Sequence, residues 1–143
     1  MFQMLRRIFN AICDTRFVTH GTLPTSVDGV AAAAVTVTSL AAAWTTAALW
    51  TVIAASSGAV DLQIVGISLE NFVGALSQGE VWIGTGALGA EVELLRIPTT
   101  DAIVKFEVGG PKIVAGTRVV AKYRTATGAA DSVAVKLLTR IGA

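Results

Sequence analysis

The 143-residue chain is 53% hydrophobic and 15% charged, with a formal net charge of +1 and a mean hydropathy of +0.67. A charge balance so close to zero gives no global electrostatic case for nucleic acid, and the single Cys13 excludes an internal disulfide. Soluble domains average about 25% charged residues, so the apolar excess points to an obligate oligomer or a subunit of a larger assembly, where contacts bury what a monomer would expose.

The chain has the length of one domain. Its first segment, FQMLRRIFNAICDTR, predicts an amphipathic helix from Phe2 to about Arg16. Phe2, Leu5, Ile8, Phe9 and Ile12 fall on one apolar stripe, with Arg6, Arg7 and Asn10 away from its centre. The Arg6-Arg7 pair precedes only a short apolar stretch interrupted by Asn10 and Asp14, which is not the pattern of a secretory signal. TLPTSVDG (22–29) reads as a loop by its Pro, Ser, Asp and Gly content. Residues 1–29 are therefore expected to form a helix and linker, an arm separable from a domain at 30–143.

Between Asp28 and Asp61 lie 32 residues without a charge. Such a run is long enough to cross a bilayer, which takes about 20 apolar residues. Its texture argues otherwise. It is mostly Ala, Thr and Ser, no Lys or Arg flanks it to orient a span, and Ser56-Ser57-Gly58 places a turn where a helix would still be in the membrane. Val35 to Thr38 alternates with period two, and Trp50 to Ile53 is β-branched and aromatic. Strands are the better reading of this stretch.

Strands follow to the end of the chain. AVDLQI (59–64) puts Val60, Leu62 and Ile64 on one face, and EVWIG (80–84) and AEVELL (90–95) flank a Gly-rich turn. In IVKFEV (103–108), Val104, Phe106 and Val108 point inward while Lys105 and Glu107 point outward. TRVVAKYR (117–124) turns Val119, Ala121 and Tyr123 inward and Arg118, Lys122 and Arg124 outward; SVAVKLL (132–138) repeats the pattern with Val133, Val135 and Leu137. ENFVGALSQGE (70–80) fits either a short helix or a crossover between sheets. Turn signals (SSG, SQG, GTGALG, VGGP, AGT, TATGAAD) recur at the spacing of an antiparallel sandwich or barrel. The expected fold is all-β, an antiparallel jelly-roll-like β-sandwich of about eight strands with the N-terminal amphipathic helix as an arm.

Candidate chemistry is sparse. Gly84-Thr85-Gly86-Ala87-Leu88-Gly89 matches GxGxxG, but AEVELLRIP follows it instead of the helix that would receive a pyrophosphate, so it reads as a hairpin. His20 is the only histidine and lacks partners for a triad or a His-based metal site, and Cys13 lies on the expected helix as a small apolar residue. Glu91 and Glu93 share a face that alternates with Val92 and Leu94, as a solvated face does; Asp61 and Asp101 are single acids. No catalytic, cofactor-binding or metal-binding residues are expected, and no enzyme. Arg118, Lys122, Arg124, Lys136 and Arg140 form either a solvated face or a basic strip that meets an acidic neighbour. Trp44, Trp50 and Trp82 are read as core or interface residues, the alternative being a platform on which sugar rings stack. The expected functional element is the arm, docking through Phe2, Leu5, Ile8, Phe9 and Ile12 with Arg6 and Arg7 at the rim; packing on its own sandwich and lying on a membrane surface are the competing readings.

Three segments carry a resemblance: WTTAALWTVIAASSGAVDLQIVGISLEN, GEVWIGTGALGAEVELLRIP and PKIVAGTRVVAKYRTATGAADSVAVKLL. They resemble the small β-sandwich virion proteins of tailed bacteriophages, with a Trp-Thr strand and Ser-Ser-Gly hairpin, a "GEvwiGTG" turn, and a closing strand pair opened by "aGTRv". The likeness runs from about residue 44 to 140 and rests on structural, not catalytic, motifs; the N-terminal helix lies outside it. It implies a virion structural protein assembled in the host bacterial cytoplasm. The leading expectation is a capsid cement or decoration subunit that bridges capsomers. Its partners would be itself, with a trimer favoured by analogy with cement proteins on threefold positions, and the major capsid protein or another virion protein, with no cofactor, nucleic acid or membrane. Tail, baseplate or head-fibre parts are the alternatives within the class. Outside it stand a carbohydrate-binding receptor module and a holin-like membrane protein, which would need residues 31–55 to be helical.

Overall fold

The computed structural model describes residues 20–24, 33–74, 78–100, 103–105 and 110–141, with only the backbone at His20 and at 103–105. The regular structure of these residues is all β: β1 (His20–Leu23), β2 (Val35–Thr38), β3 (Thr51–Ala54), β4 (Leu62–Val73), β5 (Gly79–Thr85), β6 (Val92–Pro98), β7 (Ile103–Lys105), β8 (Lys112–Ile113), β9 (Val119–Thr125) and β10 (Ser132–Ile141). They form two antiparallel sheets, consistent with the expected β-sandwich. The larger sheet has the order β1-β10-β4-β7, with β2 also beside β10 and β8 beside β4; the smaller has the order β3-β9-β5-β6. The long β10 takes two short neighbours end to end, β2 along Ser132–Val135 and β1 along Leu137–Arg140. Four of the pairings are nested in sequence: β5 with β6, β4 with β7, β3 with β9, and β2 with β10.

The core lies between the sheets. Ile64, Ile67 and Leu69 of β4 and Val133, Val135 and Leu137 of β10 share one cluster with Val81 and Ile83 of β5 and Val119, Ala121 and Tyr123 of β9. Each Val, Leu or Ile removed from water contributes roughly 1.5–3 kcal/mol before ordering costs. Burial raises the Tyr123 pKa; a hydrogen bond with Thr99 opposes the shift and the charge of Asp131 adds to it. At one end of the sheets three connections are pinned together. Ser39 N–H donates to the Asp131 carbonyl at 2.8 Å, Thr127 Oγ1 donates to the buried Asp131 carboxylate, and that carboxylate lies where a Cβ on Gly74 would stand.

Several expectations change. Ten strands replace about eight because β1 and β8 are short additions to the larger sheet. The Thr22-Leu23 start of the expected loop is strand, so residues from the segment assigned to the arm contribute to the sheet. β4 does not begin at residue 59; Val60 is 46% exposed, and the strand instead runs on through Val73, taking in the first residues of ENFVGALSQGE as strand rather than helix or crossover. The stretch 33–54 contains two strands, and among the described residues no helix is long and apolar enough to cross a membrane. The helix that a holin-like protein would need is therefore not formed there. The expected helix with Phe2, Leu5, Arg6, Arg7, Ile8, Phe9 and Ile12 lies outside the described residues, as do Cys13, Asp101, Phe106, Glu107 and Val108.

Candidate functional site

Alternation on the smaller sheet sends Val81 and Ile83 into the core and leaves Glu80, Trp82 and Gly84 on its outer face. On β9 the same rule puts Val120, Lys122 and Arg124 outward. Register then places Trp82 between Arg96 of β6 and Lys122 of β9, and Glu80 beside Arg124. A bulge at Leu94 brings Glu93 and Arg96, three residues apart, onto this same outer face.

The result is an interlocked layer of rings and charges. The Arg96 guanidinium carbon stands 3.9 Å from the centre of the Trp82 ring, and that of Arg124 stands 5.0 Å from Trp82 and 5.4 Å from Trp44. Lys122 Nζ lies 4.7 Å from the centre of Trp50. Each cation over a ring gains electrostatic attraction to the π face. Glu80 Oε2 accepts from Arg124 Nε and Nη2 at 2.9 and 2.7 Å and from Trp82 Nε1 at 3.3 Å, and Glu93 takes Arg96 through both carboxylate oxygens at 3.2 and 3.0 Å. Burial by itself would raise the Glu80 pKa, but the hydrogen bonds from Arg124 and Trp82 and the charges of Arg124 and Arg96 outweigh it and hold it below the usual carboxylate value. The hydrogen bond with Glu93 raises the pKa of Arg96.

The segment linking β2 to β3, residues 39–50, crosses from the larger sheet onto this layer as a strap. Trp44 N–H donates to the Thr125 carbonyl at 2.7 Å, Arg124 Nη1 donates to the Trp44 carbonyl at 3.3 Å, and Lys122 Nζ donates to the Ala48 carbonyl at 3.1 Å. At its far end the Trp50 ring lies against Gly84, where any Cβ would come within 3.0 Å of the ring. Glycine is required here by close approach, not by a left-handed φ. The strap's polar bonds thus consume the cations beneath it while its own outer side carries no charge.

The five cations read as a solvated face or a basic strip do not share one surface. Lys122 and Arg124 belong to the layer, Arg118 pairs with Glu91 at 2.6 Å beyond the β5–β6 hairpin, and Lys136 and Arg140 lie on the other sheet beside Glu70 and Gln63. Glu93 is exposed, as a solvated face predicts, whereas the Glu91 side chain is covered; each is held by its own arginine, and the bond from Arg118 with backbone donors lowers the Glu91 pKa. The glycine run is the hairpin turn expected, with Gly86 and Gly89 at φ 131° and 82°. The three tryptophans come together outside the core cluster. Glu80, Arg96 and the strap were not singled out from sequence; alternation marks Glu80 as outward, but only the strand order puts it beside Arg124. Among the described residues no group of three or more His, Cys, Asp or Glu is placed to hold a metal ion. Comparison with protein-family models, with curated proteins and with solved structures finds no match to this chain.

Proposed function

We propose that the chain is a structural subunit of a tailed-phage virion, a jelly-roll protein of the capsid cement or decoration type that self-associates and bridges capsid subunits without catalysing a reaction. The observation that carries this reading is the nesting of β5·β6, β4·β7, β3·β9 and β2·β10. A long antiparallel ribbon doubled at the β5–β6 turn and rolled up gives two four-strand rows, the jelly-roll arrangement found in viral capsid proteins and also in lectins. The virion side is favoured by the resemblance of residues 44–140 and by exposed apolar side chains such as Leu49, Leu88 and Val114. On the lectin side, a stacking platform would need several open rings, and only Trp44 is exposed; Arg96 and Arg124 stand over Trp82 and Lys122 over Trp50.

In this reading the amphipathic arm, Phe2 to about Arg16, docks on the major capsid protein or another virion protein, its apolar stripe in a groove and Arg6 and Arg7 at the rim. Mass spectrometry of gradient-purified particles of the phage that encodes the chain tests the proposal. Many copies per particle are expected, with loss of particle binding on deleting residues 1–16 while the β domain stays folded. Absence of the chain from purified particles would sink the virion reading, and unfolding of the truncated protein would assign the helix to its own core.

A further inference from the structure

We propose that the outer side of the strap, residues 39–50 together with Val52, is the surface through which copies of this chain associate, with like residues meeting about a twofold axis. The inference rests on the reading of the chain as a self-associating subunit and assigns that association to a surface. Trp44 is the first observation. Its φ is 55°, a left-handed conformation that a bulky aromatic residue rarely adopts. Strain of this kind persists where surrounding structure imposes it and marks candidate functional positions. Here Thr125 and Arg124 grip the Trp44 backbone from both sides, and the outcome is an indole left 48% exposed.

Exposed apolar bulk is concentrated along the same segment: Leu40, Trp44, Leu49 at 76% and Val52. A second copy fits this surface better than a charged partner does. Contacts about a twofold axis bring the same patch of each subunit together, so a patch rich in one sign of charge would repel itself. The strap has no charged side chain between Ser39 and Trp50. Large and small apolar side chains alternate along it, with Leu40, Trp44 and Leu49 exposed and the alanines between them, Ala42, Ala43 and Ala48, exposed as well. Its anchorage to Lys122, Arg124 and Thr125 means that little ordering remains to be done on association. Of the other exposed apolar residues, Val60, Leu88 and Val114 sit on turns that carry Asp61 or Glu91, and Val73, Val92 and Ile141 lie singly at the ends of β4, β6 and β10.

Sedimentation velocity of the full chain across the micromolar range tests the surface. The unmodified chain is expected to be oligomeric. Leu49→Glu and, separately, Val52→Glu should each weaken association by about thirtyfold or more, as loss of an interface hot spot does, while Val114→Glu should leave it unchanged. A monomeric unmodified chain, two strap variants that still associate as before, or dissociation by Val114→Glu instead would each overturn the proposal. Hydrogen exchange on the unmodified chain reads the same contact without any substitution: strap amides should slow as oligomer forms, and unchanged rates would overturn the assignment. The virion reading fails separately. A monomer found in particles overturns the strap interface and the self-association but leaves the virion location standing, whereas a strap-mediated oligomer absent from particles supports the interface and overturns the virion reading.

Discussion

β9 separates two ways of stabilising a sheet face. Its inward residues, Val119, Ala121 and Tyr123, meet the larger sheet across an apolar core, where area removed from water is the main term. Its outward residues, Lys122 and Arg124, are held by rings, carboxylates and strap carbonyls. The inner face requires apolar side chains of the right volume; the outer face is tolerant of volume in places and strict about which group donates to which. The proposed self-associating subunit would use both, an apolar core that joins the two sheets and an outer layer that holds an apolar strap in a fixed shape.

Volume on the inner side should give the largest effect. Leu137, fully buried on β10, is in the same cluster as Ile67 and Tyr123, and Leu137→Ala should cost about 2–5 kcal/mol in urea unfolding. A loss under about 1 kcal/mol would mean that the two sheets do not close over this position.

The junction of the two regimes is Gly84, on the outer face but roofed by Trp50. A Cβ there would stand 2.9 Å from the Val92 carbonyl oxygen and 3.0 Å from the Trp50 ring. The Val92 carbonyl belongs to the β5–β6 ladder and must shift to relieve its contact, and the Trp50 ring must give way as well. Gly84→Ala is expected to cost about 1–3 kcal/mol, the range for overpacking, and to raise acrylamide quenching of tryptophan fluorescence as Trp50 lifts. Unchanged quenching would place the ring elsewhere.

On the outer face alone, Arg124→Ala removes a cation from Trp44 and Trp82 and the strongest partner of Glu80. Both Arg124 and Glu80 are partly solvated, at 22% and 27% exposure. Cation–π contacts at such sites contribute roughly 0.5–2 kcal/mol and exposed ion pairs less, so a total of about 1–2 kcal/mol is expected, with faster hydrogen exchange in the strap. Equal destabilisation without any change in strap exchange would mean that Arg124 does not hold the strap.

The difference between the two faces also explains what could be read in advance. The inward positions of β9 and β10 follow from period-two alternation, which needs no knowledge of the partner strand. β4 breaks that rule. Its alternation from Leu62 and Ile64 would turn Gly66 and Ser68 inward, but a bulge at Val65, where β10 steps from Gly66 to Ile64, shifts the phase so that Ile67 and Leu69 face the core. A second bulge, at Leu94, puts Glu93 and Arg96 on one face although their spacing predicts opposite faces. The outer layer depends on strand order: Trp82 and Arg124 are far apart in sequence and meet because β5 and β9 are neighbours. The strap, an uncharged run with little periodicity after Thr38, signals an apolar environment without identifying the sheet it covers.

The smallest expected effect distinguishes charge from shape within the outer layer. The folded Glu80 pKa lies below its ordinary 4.5, because hydrogen bonds from Arg124 and Trp82 and the nearby positive charges outweigh the upward push of burial. A carboxylate depressed in the folded state contributes stability above its unfolded pKa, and that contribution is lost as pH falls through the folded value. Glu80→Gln keeps an acceptor for Trp82 and Arg124 but cannot ionise. At pH near 7 the substitution should cost no more than about 1 kcal/mol, as expected for a partly solvated pair. The gap between the two proteins should narrow as pH falls below 4.5 and the glutamate protonates toward its folded pKa. Urea midpoints measured in parallel across that range check the sign. A gap that stays constant with pH would mean that Glu80 acts by shape and hydrogen bonding alone, with its charge contributing nothing to the hold on Arg124.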